Sequence, residues 1–214
     1  MSWSALILPA NVHVAVMTTD TCAAWDPTNC EGTAGCPPRC PRFLDKHGEV
    51  LLVEPLTPAR RESLVTMYEA YPDAHRSMGL PPVRRVRIEE WLEGLVDDGT
   101  NFVARDGDRV VGHAAYAPAS SLEPQFIVFV DPDYHDRGIG SELCRQLVAY
   151  AADAGHEALV LDVDAANERA VHVYRRMGFE VVEHKGSDRR MRLSFDEPIV
   201  DVVQLPPAER PAGA

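Results

Sequence analysis

Lysine is almost absent from this chain: only Lys46 and Lys185 occur in 214 residues, and arginine makes up the rest of the 21 basic side chains. Against them stand 33 acidic residues, for a net charge of -12. No basic patch interrupts this acidity, which argues against nucleic acid and anionic membranes as partners. Long apolar runs are missing too. Ala5–Leu8 and Val12–Met17 are too short to span a bilayer, and the first arginine or lysine is Arg39. No targeting leader is expected, and a cytoplasmic location follows. An acidic, lysine-poor, arginine-using composition is similar to that of salt-adapted proteins, and a high-GC genome is a second source of the arginine preference.

What is present is an ordinary globular composition, 45% hydrophobic and 25% charged, enough to bury one core. A chain of 214 residues fits one main domain with extensions. The chain divides into an N-terminal extension (1–48), a main domain (49–195) and a proline-rich, loose tail (196–214).

Within the extension, residues 1–21 carry two short apolar runs around Pro9, which fits a small hairpin, and residues 22–45 form an irregular loop rich in Cys, Pro and Gly. Cys22, Cys30, Cys36 and Cys40 fall in this loop, with only Cys144 elsewhere. Their spacing is not that of paired C-x-x-C arms, yet four thiolates can close a tetrahedral zinc site, with His47 as a replacement ligand. Two disulfides, disfavoured in a reducing cytoplasm, and free thiols are the alternatives.

From Glu49 the texture becomes regular. "EVLLVEPL" reads as a strand, Thr57-Pro58 as the start of a helix reaching about Tyr71, and Arg84–Val96 as a second helix. "NFVAR" and "RVVGHAAYA" pair across Asp106-Gly107, and "QFIVFV" adds a third strand. Leu143, Leu147, Val148, Ala151 and Ala154 recur at helical spacing up to Gly155. "ALVLDVD" is a buried strand. Asn167 caps a further helix with an apolar face of Ala170, Val173, Tyr174 and Met177, stopped by Gly178. "FEVVEH" and "RRMRLSF" close as a hairpin. The order β-α-α-β-β-β-α-β-α-β-β describes a mixed α/β fold.

In the stretch "VFVDPDYHDRGIGSELC" a strand runs through a polar turn and two glycines into a helix. Unpaired N–H groups in a first helical turn point at anions, and glycines let a phosphate approach them. By itself this pattern also suits a simple strand-to-helix connection. The helix "NERAVHVYRRMGF" follows one strand later as a second fixed point.

Together these two segments resemble the GCN5-related N-acetyltransferase (GNAT) family. "HDRGIG" is similar to its Arg/Gln-x-x-Gly-x-Gly/Ala pyrophosphate loop, and Asn167, Ala170, Tyr174, Gly178 and Phe179 fall on its Asn-x-x-Ala-x-x-x-Tyr-x-x-x-Gly-Phe segment. The resemblance covers residues 49–195 and implies a mostly antiparallel central sheet with splayed strands, flanked by helices. It implies acetyl transfer from acetyl-CoA to an amine acceptor, small molecule or protein, by direct attack through a tetrahedral intermediate. Tyr174 is then the general acid for the leaving thiolate, although it also reads as a core residue. Phe129 and Val130 end the splayed strand that pairs with pantetheine. His135, Asp136, Arg137, Gly138, Ile139, Gly140, Ser141 and Asn167 complete the cofactor site. His135 departs from the family's Arg or Gln.

For the general base the candidate is Glu123, ahead of His113, Asp162 and Asp164, each of which also fits a structural role. Helix one, the loop 72–82 and the strand carrying His113 are expected to form the acceptor site. A monomer and a homodimer are both compatible with the sequence. The competing reading is a non-enzymatic acyl-CoA sensor whose Cys-rich segment is a metal-stabilised interaction module.

Overall fold

A computed structural model describes residues 40–76 and 80–205. Eight strands form one sheet in the order β1-β2-β3-β4-β5-β6-β8-β7. They are β1 (Arg42–Leu44), β2 (Val50–Pro55), β3 (Thr100–Asp106), β4 (Arg109–Ala117), β5 (Gln125–Val130), β6 (Ala158–Asp164), β7 (Glu180–Lys185) and β8 (Asp188–Ser194). Neighbours are antiparallel except for β5 and β6, which run parallel. Among the described residues five α-helices flank the sheet: α1 (Arg61–Glu69), α2 (Arg85–Asp97), α3 (Ile139–Asp153), α4 (Glu168–Arg176) and α5 (Pro198–Val203). Among the described residues no helix is long and apolar enough to cross a membrane.

Strand β4 explains why the sheet has a core on each face, because its residues Val110–Tyr116 are buried without alternation. On one face, Leu64, Val65, Tyr68, Ile88 and Leu92 of α1 and α2 pack against Val103 and Val110. On the other, Leu143, Leu147 and Val148 of α3 pack with Phe102, Ala104 and Ala114. Gly112 permits that close packing: a Cβ there would lie 2.9 Å from Leu143 Cδ1 and 3.2 Å from Ile139 Cγ2, so those side chains would have to shift.

Most expected elements occur with only their ends moved. The Thr57-Pro58 start is a 3-10 turn, Pro58–Arg60, that leads into α1, and Thr57 makes no side-chain cap. Helix α1 stops at Glu69 rather than Tyr71. Ala154 is exposed and ends α3. In α4 the face turned to the core is Val171 and Tyr174, with Met177 just beyond, while Ala170 and Val173 are only half-buried.

Two expectations need correcting at the ends of the domain. Residues 42–44 are not loop but β1, paired with β2 through Phe43 opposite Leu51, so a boundary at residue 48 cuts a hairpin of the main sheet. Nor is the whole tail loose. Pro198 opens α5, whose Val200 and Val203 are buried. Full burial of such a side chain stabilises by about 1.5–3 kcal/mol, enough to hold a short helix on the core. The hairpin expected before residue 22 lies outside the described residues.

Candidate active site

Strand β5 is apolar along most of its length, yet beyond Phe126 its residues are only half-buried. The cause is the parting of β5 from β6, whose only paired position is Gln125 with Val160. Past that point a cleft of about 860 Å³ opens between the two strands. It is bounded by α4 on one side, the turn before α3 at one end, and Tyr71, His75 and Leu80 opposite.

Strand parity decides which backbone groups face this opening. Val160 N–H donates to Pro124 C=O at 3.1 Å across the β5–β6 junction, and Asp131 N–H donates to Val111 C=O at 2.9 Å on the β4 side. Successive residues alternate, so Phe126, Val128 and Val130 turn their backbone groups toward β6 and the cleft. His135 Nε2–H donates to the Val130 carbonyl at 3.0 Å, which takes that acceptor. Val128 therefore offers both an N–H and a C=O at the middle of the splay. Sequence reasoning named Phe129 and Val130 but missed Val128. Phe129 pairs with His113 of β4 through its backbone, and its ring packs against Tyr68, Tyr71 and Trp91.

The turn that follows β5 is built to present amide hydrogens. Asp131 caps a 3-10 turn, Pro132–Tyr134, by accepting from Asp133 N–H at 3.0 Å. Asp136 then adopts φ 62° and Gly138 φ 91°, two left-handed positions within three residues. For Asp136 this is a strained conformation, of the kind that collects at ligand sites. Gly138 is the N-cap of α3 and supplies no side-chain hydrogen bond to it. The N–H groups of Ile139, Gly140 and Ser141 thus begin the helix without a side-chain cap, and these three residues line the cleft. This donor set fits a diphosphate, and the open strand edge fits an amide-bearing arm.

Across the splay, Tyr174 of α4 lines the same cleft while remaining only 8% exposed. Its ring centroid lies 6.2 Å from that of Phe126 and 5.7 Å from that of Phe179. It is a packed residue and a wall of the cleft at once. Burial raises its pKa well above the ordinary tyrosine value, so the phenol keeps its proton. The Asn167 side chain accepts from Ala170 N–H at 3.2 Å and caps α4.

The cleft thus collects Phe129, Val130, His135, Asp136, Gly138, Ile139, Gly140, Ser141, Asn167 and Tyr174. The side chains of two candidates lie elsewhere. Arg137 turns away to an ion pair with Asp45 and stacks on Tyr134, its guanidinium 4.5 Å from the ring centroid. Burial pushes the Asp45 carboxyl up, but the N–H groups of Glu49 and His47 and the Arg137 guanidinium outweigh it and hold the carboxyl below its usual range. Glu123 is not a cleft residue; it pairs with Arg192 at 2.8 Å, and that contact holds it as a carboxylate of lowered basicity. Asp162 lines the cleft, tied to Arg190 at 3.3 Å, and Asp164 accepts from Ala166 N–H at 2.9 Å.

His113 is also not a cleft residue. It is fully buried and bonded at both nitrogens, to Tyr68 OH at 2.6 Å and to Asn101 Oδ1 at 3.0 Å. Asn101 Nδ2 donates to Leu95 C=O at 2.7 Å, which leaves Oδ1 as the acceptor. His113 Nε2 must then carry the hydrogen, and Nδ1 accepts from Tyr68. Burial pushes the imidazole pKa down to about 3, so it stays neutral.

Cys22, Cys30 and Cys36 lie outside the described residues. Cys40 is buried against α3, and its carbonyl accepts from Gln146 Nε2 at 2.8 Å. Among the described residues no group of three or more His, Cys, Asp or Glu side chains is arranged to hold a metal.

Mycothiol acetyltransferase of Propionibacterium freudenreichii is 42% identical over 111 residues, covering 50% of this chain and 34% of that protein. Streptothricin acetyltransferase of Streptomyces lavendulae is 35% identical over 97 residues, covering 42% of this chain and 50% of that protein. The match therefore spans half or less of each relative's length. Among solved structures, the GNAT domain of S. lividans PAT superposes with a TM-score of 0.63 at 20% identity, covering 72% of this chain and 95% of that one, a likeness of fold alone. The family model described as "Acetyltransferase (GNAT) family" matches residues 64–179, more than half of the chain. By that match, and by the splayed sheet and uncapped helix it contains, this chain belongs to the GNAT acetyltransferase family.

Proposed function

We propose that this protein transfers an acetyl group from acetyl-CoA to a primary amine, with Tyr174 as the proton donor to the leaving thiolate. The observation that carries the reading is the convergence of three features on one cleft: the free backbone edge of Val128, the uncapped start of α3, and Tyr174 opposite them. The α3 amides of Ile139, Gly140 and Ser141 bind the diphosphate of the substrate, where the helix dipole adds to their effect. The Val128 N–H and C=O pair with the amides of the pantetheine arm. The apolar side chains of β5 keep water from the thioester.

The amine nitrogen attacks the thioester carbonyl carbon and forms the C–N bond of a tetrahedral intermediate, whose collapse breaks the C–S bond and restores the carbonyl. Tyr174 gives its hydroxyl proton to the departing sulfur and recovers one from water. An alkylammonium near pKa 10 must first lose a proton. With Glu123 tied to Arg192 and His113 sealed in the core, solvent at the cleft mouth takes that proton. Tyr71, His75 and Leu80 form the wall along which the acceptor approaches.

The test is chromatographic measurement of acetyl-CoA consumption against a panel of small amines, amino acids, polyamines and peptide N-termini, at low and molar salt. Acylated product from one acceptor class supports the assignment. Tight acetyl-CoA binding with no product from any class overturns it in favour of a sensor.

A further inference from the structure

The turn between β1 and β2 reaches over the start of α3, and several separate contacts hold it there. Asp45 takes the N–H groups of His47 and Glu49, each at 2.9 Å, and pairs with Arg137. Lys46 N–H donates to Arg137 C=O at 3.1 Å, and Phe43 Cζ stands 3.4 Å from the point where a Cβ of Gly138 would lie. The stem of Lys46 passes the same point, with Cε at 3.8 Å and Cγ at 3.9 Å, and Lys46 lines the cleft.

The arginines around the turn are already paired. Arg137 is committed to Asp45, Arg109 to Asp131 at 2.7 Å and Arg169 to Asp136 at 3.0 Å. Among the described residues no carboxylate lies within ion-pair distance of Lys46. A chain of net charge -12 repels a polyanion at long range, so a local cation at the phosphate end has an effect that amides alone do not supply.

We propose that Lys46 is an anion-binding residue of the cofactor cleft, contacting the diphosphate of a coenzyme A thioester, and that the Asp45–Arg137 clasp is what positions it. The inference rests on the proposed function, since it assigns a further contact in the same cleft. Lys46 precedes the matched family segment, which begins at residue 64. The contact comes from a part of the chain that the family match does not reach.

The experiment is calorimetric titration of the full chain with coenzyme A at two salt concentrations, for wild type, Lys46→Gln, Lys46→Arg and the control Arg87→Gln. Lys46 is exposed, so its substitution leaves the fold intact, and Arg87 is an exposed cation on α2 paired with Glu90. Lys46→Gln should bind about fivefold more weakly and with a shallower salt dependence, the upper range for an exposed charge contact. Lys46→Arg should restore binding, and Arg87→Gln should bind like wild type. The loss should persist with 3′-dephospho-coenzyme A, which keeps the diphosphate. Equal binding by wild type and Lys46→Gln overturns the inference alone, as does a loss that vanishes with the dephospho ligand. Failure of the wild type to bind coenzyme A overturns the functional reading together with it.

Discussion

Replacing Tyr174 by Phe removes one hydroxyl and leaves the ring that packs against Phe126 and Phe179, so chemistry and folding separate cleanly. General acid catalysis contributes about 10²–10⁴-fold. The lower end applies here, because a thiolate with a parent pKa near 8.5 departs tolerably well without help. A fall in kcat of about 10²-fold follows, equivalent to ~2.7 kcal/mol of barrier. The hydroxyl acts on a charge that exists only as the C–S bond breaks, so KM for acetyl-CoA should move by less than about threefold. Burial raises the Tyr174 pKa, so the wild type should show no alkaline loss from this group below about pH 10. The assay is thiol release at saturating acceptor from about pH 6 to about pH 10, with thermal melts of both proteins alongside. Turnover of Tyr174→Phe within about twofold of wild type across that range, with both proteins folded, would refute the assignment.

His113 makes stability depend on acid. Its folded pKa of about 3 lies below the ordinary 6.5, so between those values the unfolded chain holds more protons and stability falls as pH falls, by up to ~1.4 kcal/mol per unit. His113→Gln should flatten that slope in urea denaturation series, whatever its effect on absolute stability, and parallel slopes would count against the buried neutral imidazole. Glu123→Gln should leave kcat within about threefold of wild type and cost less than ~1 kcal/mol, because the carboxylate pairs with Arg192 at a partly exposed position. A hundredfold loss would return Glu123 to the mechanism as the base.

Local patterns were readable from the sequence, and long-range pairings were not. The bounds of "QFIVFV" and "ALVLDVD" follow from runs of apolar residues between turn signals, and both match β5 and β6 residue for residue. Asn167 as a cap and the glycine turn before α3 are equally local. What escaped was set by partners far along the chain. Asp45 and Arg137 are 92 positions apart, and no spacing rule joins them, so Arg137 read as a phosphate ligand rather than a strut. Strand β1 has three residues after a proline-rich stretch, too few to show alternation. Helix α5 did leave a signal, Val200 and Val203 three apart behind Pro198, which the proline-rich surroundings obscured. The role of Val128 needed the register of β5 on β4, since parity cannot be assigned to an isolated strand.

The parity of β5 also separates two kinds of selectivity along a single strand. The edge facing the cleft presents main-chain N–H and C=O groups, which every residue type except proline carries alike. Side chains such as Phe129 stand on the face shared with Tyr68, Tyr71 and Trp91, toward the acceptor wall. Under the proposed function, substitutions on that face would alter the acceptor wall and leave the backbone edge for the acyl donor in place. On the proposed function, the strand thereby divides its work, with donor contacts on its backbone edge and acceptor contacts on one side-chain face.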